Sequence, residues 1–509
     1  TGLLDKFFLD RRLSPMIQTN RGCPFSCTFC ADGHKSQSKV KLFSMERVKK
    51  ELDYICEKID PKLNKTLFIS DLNFGMLGRD VEISEVLSNV YKEKSFPAYI
   101  DSTTAKNSKD RVITAIKNLS GAMQMTMAIQ STDPLVLENI KRSNIRIEDY
   151  TALMPALKEN NLATYGEIIL GLPKETLKSH LNTINDMIHM KVDNIDPHSL
   201  MMLNGAELNT DISRKKYGYK TKFRVIPRDF SIIDENYIIE TEEVAISSDS
   251  LSFDDYIEAR KIAFILKMLN NPGLSILLNI TMEVGLEPID LIKYIVESKG
   301  NDPASKKCRT RVNKFAKDTE EELFDTEIEM HDYYSKKENF EKLVKGEEGK
   351  NLMHTHVTHW IASEIEVIID KAEQWFHDKQ VLKLELIKDA LNFVRAKSTK
   401  VFSDDRLKHT VLVNLNYNFQ DWLNNPSEPI EKFKFHKKTK VKFFIAKEQF
   451  NELERQLQIF GKGVDGFAKA YIRLGPHTLW RKCKINKDII ISNETIRQSS
   501  KLSSSSMSY

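Results

Sequence analysis

Between residues 16 and 200, six short apolar runs alternate with amphipathic segments, and this alternation constrains the fold more than any other feature. The runs cover residues 16–19, 66–70, 98–102, 123–129, 164–170 and 192–200. Each is strand-length. The segments between them, at 44–59, 79–93, 108–119 and 175–190, space their apolar residues at helical steps. Ser44 is placed to cap the first helix, and Asp133-Pro134 opens another with a capping side chain followed by Pro at the first helical position. Strands interleaved with helices build a parallel sheet with right-handed crossovers. Six of them close into a partial barrel, whose chemistry belongs at the C-terminal ends of the strands.

The first strand leads into Cys23-Pro24-Phe25-Ser26-Cys27-Thr28-Phe29-Cys30, with three cysteines at the spacing Cys-x3-Cys-x2-Cys. Thiolates are the preferred ligands of iron–sulfur clusters. A four-iron cluster normally takes four Cys, but this run supplies three and the next is Cys56. One iron is then left for a non-protein ligand, as a reaction centre requires. The alternative is zinc, which wants four ligands in paired hooks. His34 is the nearest fourth ligand, and no second hook follows it. Six Cys in 509 residues are too few for a disulfide scaffold. Cys56, Cys308 and Cys483 lie far apart, which suits a reducing cytoplasm.

The run Thr19-Asn20-Arg21-Gly22-Cys23 through Cys30 resembles the cluster loop of the radical S-adenosylmethionine (radical SAM) enzymes, most closely the branch that often carries an N-terminal cobalamin-binding domain. Phe29, the aromatic before the last Cys, is typical of that loop. The resemblance covers residues 13–230 and implies a partial (β/α)6 barrel; with the patterning beyond it, the fold expected is α/β, that barrel followed by a mainly helical C-terminal region with a small β hairpin. It implies that Cys23, Cys27 and Cys30 hold a [4Fe–4S] cluster and that S-adenosylmethionine chelates the open iron. One electron from the reduced cluster would then produce methionine and a 5′-deoxyadenosyl radical, which takes a hydrogen atom from a substrate.

Further residues match the family at the strand ends. Ser70-Asp71-Leu72-Asn73-Phe74-Gly75 stands where many members have a Gly-Gly-Glu run holding the SAM amino group. This chain departs from that run, although its Asp-x-Asn-Phe-Gly form is similar to the cobalamin-linked branch. By the resemblance, Ser70, Asp71 and Asn73 take that role; a plain polar turn is the other reading. Gln130 and Ser131 stand where the family contacts the methionine or ribose part of SAM, with a turn or helix cap as the alternative. Gly166-Glu167-Ile168-Ile169-Leu170-Gly171-Leu172-Pro173 follows the family's fifth strand, whose backbone passes the adenine. Gly166, Ile168 and Gly171 are its expected contacts, since Gly lets a backbone approach a ligand closely. Pro197-His198 and the 203–208 segment resemble the sixth-strand region. No catalytic side chain is assigned.

The implied activity is reductive cleavage of SAM, used for cobalamin-dependent methyl transfer. The implied partners are a low-potential electron donor and a small-molecule or biopolymer substrate. The cobalamin domain is expected before Thr1, since this chain has no Asp-x-His-x-x-Gly run to ligate cobalt. Two other readings stay open: a cobalamin-independent radical SAM rearrangement, oxidation or carbon–sulfur insertion, and a non-catalytic iron–sulfur or zinc protein.

Composition sets outer bounds. Hydrophobic residues are 41% and charged residues 29%, with a net charge of +4, so nothing global argues for nucleic acid. No run of about 18 apolar residues spans a membrane, and no signal peptide opens the chain. A cytoplasmic enzyme is expected. The division expected is a barrel at 1–235, a helical region at 236–430, a small α+β segment at 431–497, and a disordered tail at 498–509.

Past the barrel the pattern carries less chemistry. Lys222 to Phe230 mixes Arg224, Arg228 and Asp229, suited either to an Arg–Asp pair or to a bordering carboxylate or phosphate. Residues 231–258 hold nine acids and no Lys or Arg, and read as a linker with a strand near 237–239. Helices are expected at 254–270, 286–299, 361–377 and 379–396. His354, His356 and His359 sit close in sequence, but 354 and 356 diverge on a helix, so packed or solvated histidines are expected over a metal site. Seven Lys and no acid lie in 432–447. The alternation there predicts a hairpin with a solvated Lys edge, in preference to a nucleic-acid strip.

Overall fold

The computed structural model describes residues 2–10, 13–62, 64–105, 109–144, 147–159, 163–399, 410–425, 428–474 and 479–485. The proposed tail at 498–509 lies outside them. The chain opens with β1 (Met16–Ile17) and a small antiparallel pair, β2 (Asn20–Arg21) and β3 (Lys41–Leu42). Then come α1 (Met45–Lys58), β4 (Thr66–Ile69), α2 (Gly78–Lys94), β5 (Tyr99–Asp101), α3 (Lys109–Asn118), β6 (Met125–Gln130), α4 (Pro134–Asn139), α5 (Ile147–Glu159), β7 (Thr164–Leu170), α6 (Leu177–His189) and β8 (Asn194–Ser199). All six expected strands are present. They form two parallel sheets, β1-β4-β5 and β6-β7-β8. The sheets are linked where Thr104 Oγ1 donates to the Thr126 carbonyl at 2.6 Å and the Ile100 amide to Ala122 at 2.8 Å. Ser44 caps α1, and Asp133 caps α4 ahead of Pro134.

The strands alternate as a closed sheet must. Leu67, Ile69, Ile100, Met125, Met127, Ile168 and Ile195 are buried and pack outward on the helices. Tyr165, Glu167, Asp196 and His198, half-buried, occupy the other face, the inside of the partial barrel.

After α7 (Asp211–Tyr217), the presumed acidic linker is ordered. β9 (Lys220–Ile233) and β10 (Asn236–Ser247) make a long antiparallel ribbon, and the expected boundary at 235 falls at its tip. β10 is bound to the barrel: the Ala245 amide donates to Leu200 and the Met202 amide to Glu243, each at 2.9 Å. Two of its acids are paired within the fold. Glu243 meets Arg214 at 2.6 Å, while Arg224 pairs with Glu242 and, at 2.8 Å, with Glu322. The expected Arg–Asp pair is thus an Arg–Glu pair, and Asp229 is exposed. Charge composition suggested a solvated linker because the basic partners come from outside the stretch.

A helical region follows: α8 (Phe253–Leu269), α9 (Ile276–Glu283), α10 (Pro288–Glu297), α11 (Pro303–Glu321), α12 (Glu327–Tyr334), α13 (Lys337–Lys345), α14 (Leu352–Glu364), α15 (Glu366–Asp378) and α16 (Leu384–Ser398). One apolar core runs from Met187 and Ile195 of the barrel into Phe264, Phe315 and Trp360 of these helices. His356 is held by Asp318 at 2.9 Å. Among the described residues no group of three His, Cys, Asp or Glu could hold a metal ion as they lie. No helix there is long and apolar enough to cross a membrane.

The C-terminal part holds β11 (Val411–Tyr417), α17 (Phe419–Asn424), β12 (Lys434–Phe444), α18 (Lys447–Phe460), α19 (Val464–Leu474) and β13 (Lys482–Ile485). The hairpin expected at 433–444 is a single strand. β12 is the middle of an antiparallel sheet between β11 and β13. Its partners lie tens of residues away, so no local turn signal marks them. Cys308 is buried in the core, and Cys483 Sγ faces Gln420 Oε1 at 3.3 Å.

Gly166 shows how tightly α6 lies on the sheet. A Cβ there would stand 2.1 Å from Met187 Cε and 3.0 Å from Val192 Cγ1. Gly166→Val should therefore cost about 1–3 kcal/mol by overpacking, read as a lower urea midpoint with unchanged m-value.

Candidate active site at the cysteine loop

The cysteine loop leaves the end of β1 and is tied down on three sides. The Cys23 amide donates to Gln37 at 2.9 Å, the Thr28 amide to Ile140 at 3.2 Å, and the Leu208 amide to Thr28 at 2.9 Å. Gly22 has φ +99°, and a Cβ there would come within 2.7 Å of the Gln37 and Lys39 carbonyl oxygens. Phe29 packs against the apolar cluster of Val136, Ile140 and Leu172.

Asp71, just past β4, is the main tie. Its Oδ1 accepts the Thr19 amide at 2.7 Å and the Asn20 amide at 3.2 Å. Its Oδ2 accepts from the Thr19 hydroxyl and, at 2.7 Å, from Asn20 Nδ2. Both oxygens are committed to the loop. Ser70 is committed too, its hydroxyl donating to the Ile17 carbonyl at 3.2 Å. Asn73 differs. Its Nδ2 donates to Cys23 Sγ at 3.3 Å, while its buried Oδ1 has no partner.

Arg142, which the sequence pattern did not single out, stands against the second thiol, with Nη1 3.7 Å from Cys27 Sγ. Its Nη2 bonds the Ala128 carbonyl on β6, and its Nε bonds Asn144 Oδ1 at 2.8 Å. Burial lowers the guanidinium from its usual value, and Cys27 opposes that shift. One signal was available: Asn139 to Asn144 contains a basic pair and no acid to neutralise it.

Gln130 ends β6 in the left-handed region, at φ +66°. It is 6% exposed and its Oε1 has no partner. Ser131 instead serves the turn into α4, its hydroxyl accepting the Asp133 amide at 3.2 Å. Ile168 lies fully in the outer core, and the absence of a side chain at Gly166 is explained by α6. Gly171, at φ +94°, opens a locked turn. Its amide donates to Glu175 Oε2 at 2.6 Å, and Glu175 Oε1 lies 3.0 Å from His180 Nδ1, both side chains fully buried. Of the expected contacts, Asn73 touches the cysteine loop and, like Gln130, keeps a buried unpartnered side-chain oxygen, while Gly171 opens the turn after β7.

The three thiols are not gathered into a ligand set as they lie, but their surroundings suit electron-rich sulfur. Two of them receive side-chain N–H groups from outside the loop, one cationic, in a buried setting where such donors act strongly. The unpartnered oxygens of Asn73 and Gln130 are acceptors left for a ligand, since buried polar atoms are normally paired.

Residues 17–187 match the family model described as the radical SAM superfamily. That stretch is a radical SAM domain. The chain is 33% identical over 266 residues to the cobalamin-dependent radical SAM methyltransferase TokK of Streptomyces tokunonensis, covering 51% of this chain and 38% of that one. It is also 33% identical over 267 residues to the 2-(S-pantetheinyl)-carbapenam-3-carboxylate methyltransferase of Streptantibioticus cattleyicolor, covering 52% and 38%. The chain thus spans less than two-fifths of the length of these relatives. Among solved structures, the radical SAM methyltransferase TsrM of Kitasatospora setae overlaps at TM-score 0.35 and 12% identity, over 40% of this chain and 39% of that one.

Two outcomes test the radical SAM loop's supports. Asp71→Ala leaves two amides and a hydroxyl without an acceptor, a local cost of about 2–4 kcal/mol. Amide hydrogen exchange should accelerate at Thr19 and Asn20 while β7 and β8 stay protected. Asp80 accepts the Gly75 and Leu77 amides at the start of α2, and burial pushes its carboxyl from 3.8 to about 6. Between these values the folded chain binds a proton that the unfolded chain has released. Stability should fall as pH rises through this window and level off above it. Asp80→Asn should remove that slope in denaturant titrations.

Proposed function

We propose that this chain is the catalytic core of a radical SAM enzyme that cleaves S-adenosylmethionine reductively and uses the product for cobalamin-dependent methyl transfer. The observation that carries the reading is the pair of N–H donors on Cys23 and Cys27 within a matched radical SAM domain. When bound, a [4Fe–4S] cluster supplies the electron that splits S-adenosylmethionine into methionine and a 5′-deoxyadenosyl radical, and cobalamin supplies a transferable methyl group.

The chain's residues have separate tasks in this reading. Cys23, Cys27 and Cys30 hold the cluster. Asn73 and Arg142 stabilise negative charge on its sulfurs. Asn73 Oδ1 and Gln130 Oε1 accept N–H or O–H groups of S-adenosylmethionine. Gly171, held by Glu175 and His180, gives the adenine a close backbone edge. Asp71, Ser70 and Ser131 act one step back, by holding the loop and turns in place. The similarity of about half the chain to two methyltransferases, one named as cobalamin-dependent, supports methyl transfer over other radical chemistry. Residues 1–235 are the radical module in this reading. The β9–β10 ribbon belongs to the same module, since β10 bonds the barrel at Leu200 and Met202, and the helices from α8 to α16 close over it.

The test is anaerobic. The chain is reconstituted with iron and sulfide, reduced, given S-adenosylmethionine with and without hydroxocobalamin, and assayed for 5′-deoxyadenosine beside Cys27→Ala. The expected outcome is about four irons per chain and nucleoside from the unsubstituted chain only. Zinc in place of iron, or equal nucleoside from Cys27→Ala, sinks the reading.

A further inference from the structure

The C-terminal sheet of β11, β12 and β13 puts its two faces to different uses. Val413, Leu415, Val441 and Phe443 lie on the inner face and join the main apolar core. On the outer face, the register sets Lys442 between Leu412 on one side and Lys484 on the other. Asn414 stands opposite Lys440, and Phe444 opposite Lys482. All four lysines are exposed. Among the described residues none of them makes an ion pair.

This arrangement works against the sheet's own stability. Like charges directly opposite on neighbouring strands repel, and Lys442 and Lys484 are such a pair, about 5 Å apart at Cβ. Lys440 follows on the same face about 7 Å along β12. The common reasons for surface lysines do not cover this row. Lysines guard a sheet edge against pairing with another chain, but β12 has a partner strand on each side. Exposed lysines elsewhere pair with carboxylates, as Lys314 does with Asp318 and Lys345 with Glu341. Among the described residues the outer face of this sheet holds no acid. Glu385 and Asp389 of α16 meet the sheet at its bulged end, where they bond Asn416.

We infer that this face docks an acidic protein segment, with Leu412 as apolar anchor and Lys440, Lys442, Lys482 and Lys484 as charged contacts. Leu412 is 55% exposed, in the same row as Lys442 and Lys484. An approaching surface therefore meets an apolar side chain beside a bank of ammonium groups, which suits carboxylates arrayed around an apolar residue. Nucleic acid fits less well. Single strands bind by stacking bases on open aromatic rings. The ring on this face, Phe444, is half-buried, with Lys442 Nζ 5.8 Å from its centroid. A phosphate backbone also offers an exposed leucine no apolar partner. Lysine is a hydrated point charge, suited to steering an encounter between opposite charges. Carboxylates brought to the row relieve its repulsion, so binding and stability oppose each other at the same residues. The inference stands apart from the radical SAM reading, since it uses no residue of the cysteine loop or barrel.

The probes are two synthetic peptides of equal charge, one of Glu alone and one alternating Glu with Leu, and a single-stranded oligothymidylate of the same charge. Fluorescence anisotropy at low salt reads the affinity for the full chain, and the melting temperature reads the fold. The Glu–Leu peptide should bind saturably and most tightly. The double variant Lys442→Gln with Lys484→Gln should weaken it about tenfold. Its melting temperature should be equal or higher, because the repelling pair is gone, whereas lysines that support the fold would lower it. Leu412→Ser should bring the Glu–Leu peptide down to the affinity of the Glu peptide. Lys306→Gln with Lys336→Gln, at exposed positions elsewhere, should leave every affinity unchanged. No saturable peptide binding, equal losses in the two double variants, or a lower melting temperature for Lys442→Gln with Lys484→Gln overturns the inference. Oligothymidylate binding more tightly than the Glu–Leu peptide also overturns it and assigns the face to nucleic acid.

Discussion

The carboxylate of Asp71 holds the active loop to the barrel. Loops carry backbone amides that no ladder pairs, and a buried unpaired amide costs as much as a lost hydrogen bond. Asp71 accepts two such amides, at Thr19 and Asn20, together with both of their side chains. Because Asp71 follows β4 directly, the loop is registered against the second strand as well as the first. Its burial raises the carboxyl from its ordinary value, and the Thr19 hydroxyl with the two amides works against that rise. The donors around Cys23 and Cys27 depend on this placement. Asn73 lies two residues beyond Asp71, and Arg142 reaches Cys27 across the end of β6.

The two faces of the sheet divide the remaining work. The outer face is apolar and merges with the helices into a core that continues through α8, α11 and α14. The inner face is polar and half-buried, carrying Tyr165, Glu167, Asp196 and His198 in alternation with core residues. Cys27 and Arg142 belong to one end of this interior, Lys267 and Asp196 to the other. The C-terminal helices are therefore part of the barrel's inner wall as well as its support. The ribbon extends that wall by pairing with Leu200 and Met202 beyond β8, and at its bulge the Arg228 amide donates to the Gly349 carbonyl just before α14.

Several sequence expectations met a competing cause. Gly166 reads as a glycine for ligand approach, yet the close neighbour is α6 through Met187 and Val192. Ser131 reads as a cofactor contact, yet its hydroxyl serves the α4 turn. In both cases the residue type carries a requirement for space or for a hydrogen bond, and only the packed neighbours say what fills it. The acidic stretch at 231–258 and the Lys-rich strand at 434–444 share a different cause. Their pairing partners are distant in sequence or lie on other elements, so composition shows half of each interaction.

The sequence alone determined the six-strand order, the capped helices between the strands, and the three-cysteine loop after the first strand. These are local: periodicity, capping side chains and ligand spacing act within a few residues. Tertiary structure alone decided which strand-end side chains keep an unpartnered polar atom, as Asn73 and Gln130 do, and which are tied into the fold, as Asp71 and Ser70 are. It alone placed Arg142 against Cys27 and Lys267 against Asp196 and Asn194. Those outcomes depend on contacts between residues tens to more than a hundred positions apart, whose geometry is set by packing and by the competition for buried hydrogen-bond partners.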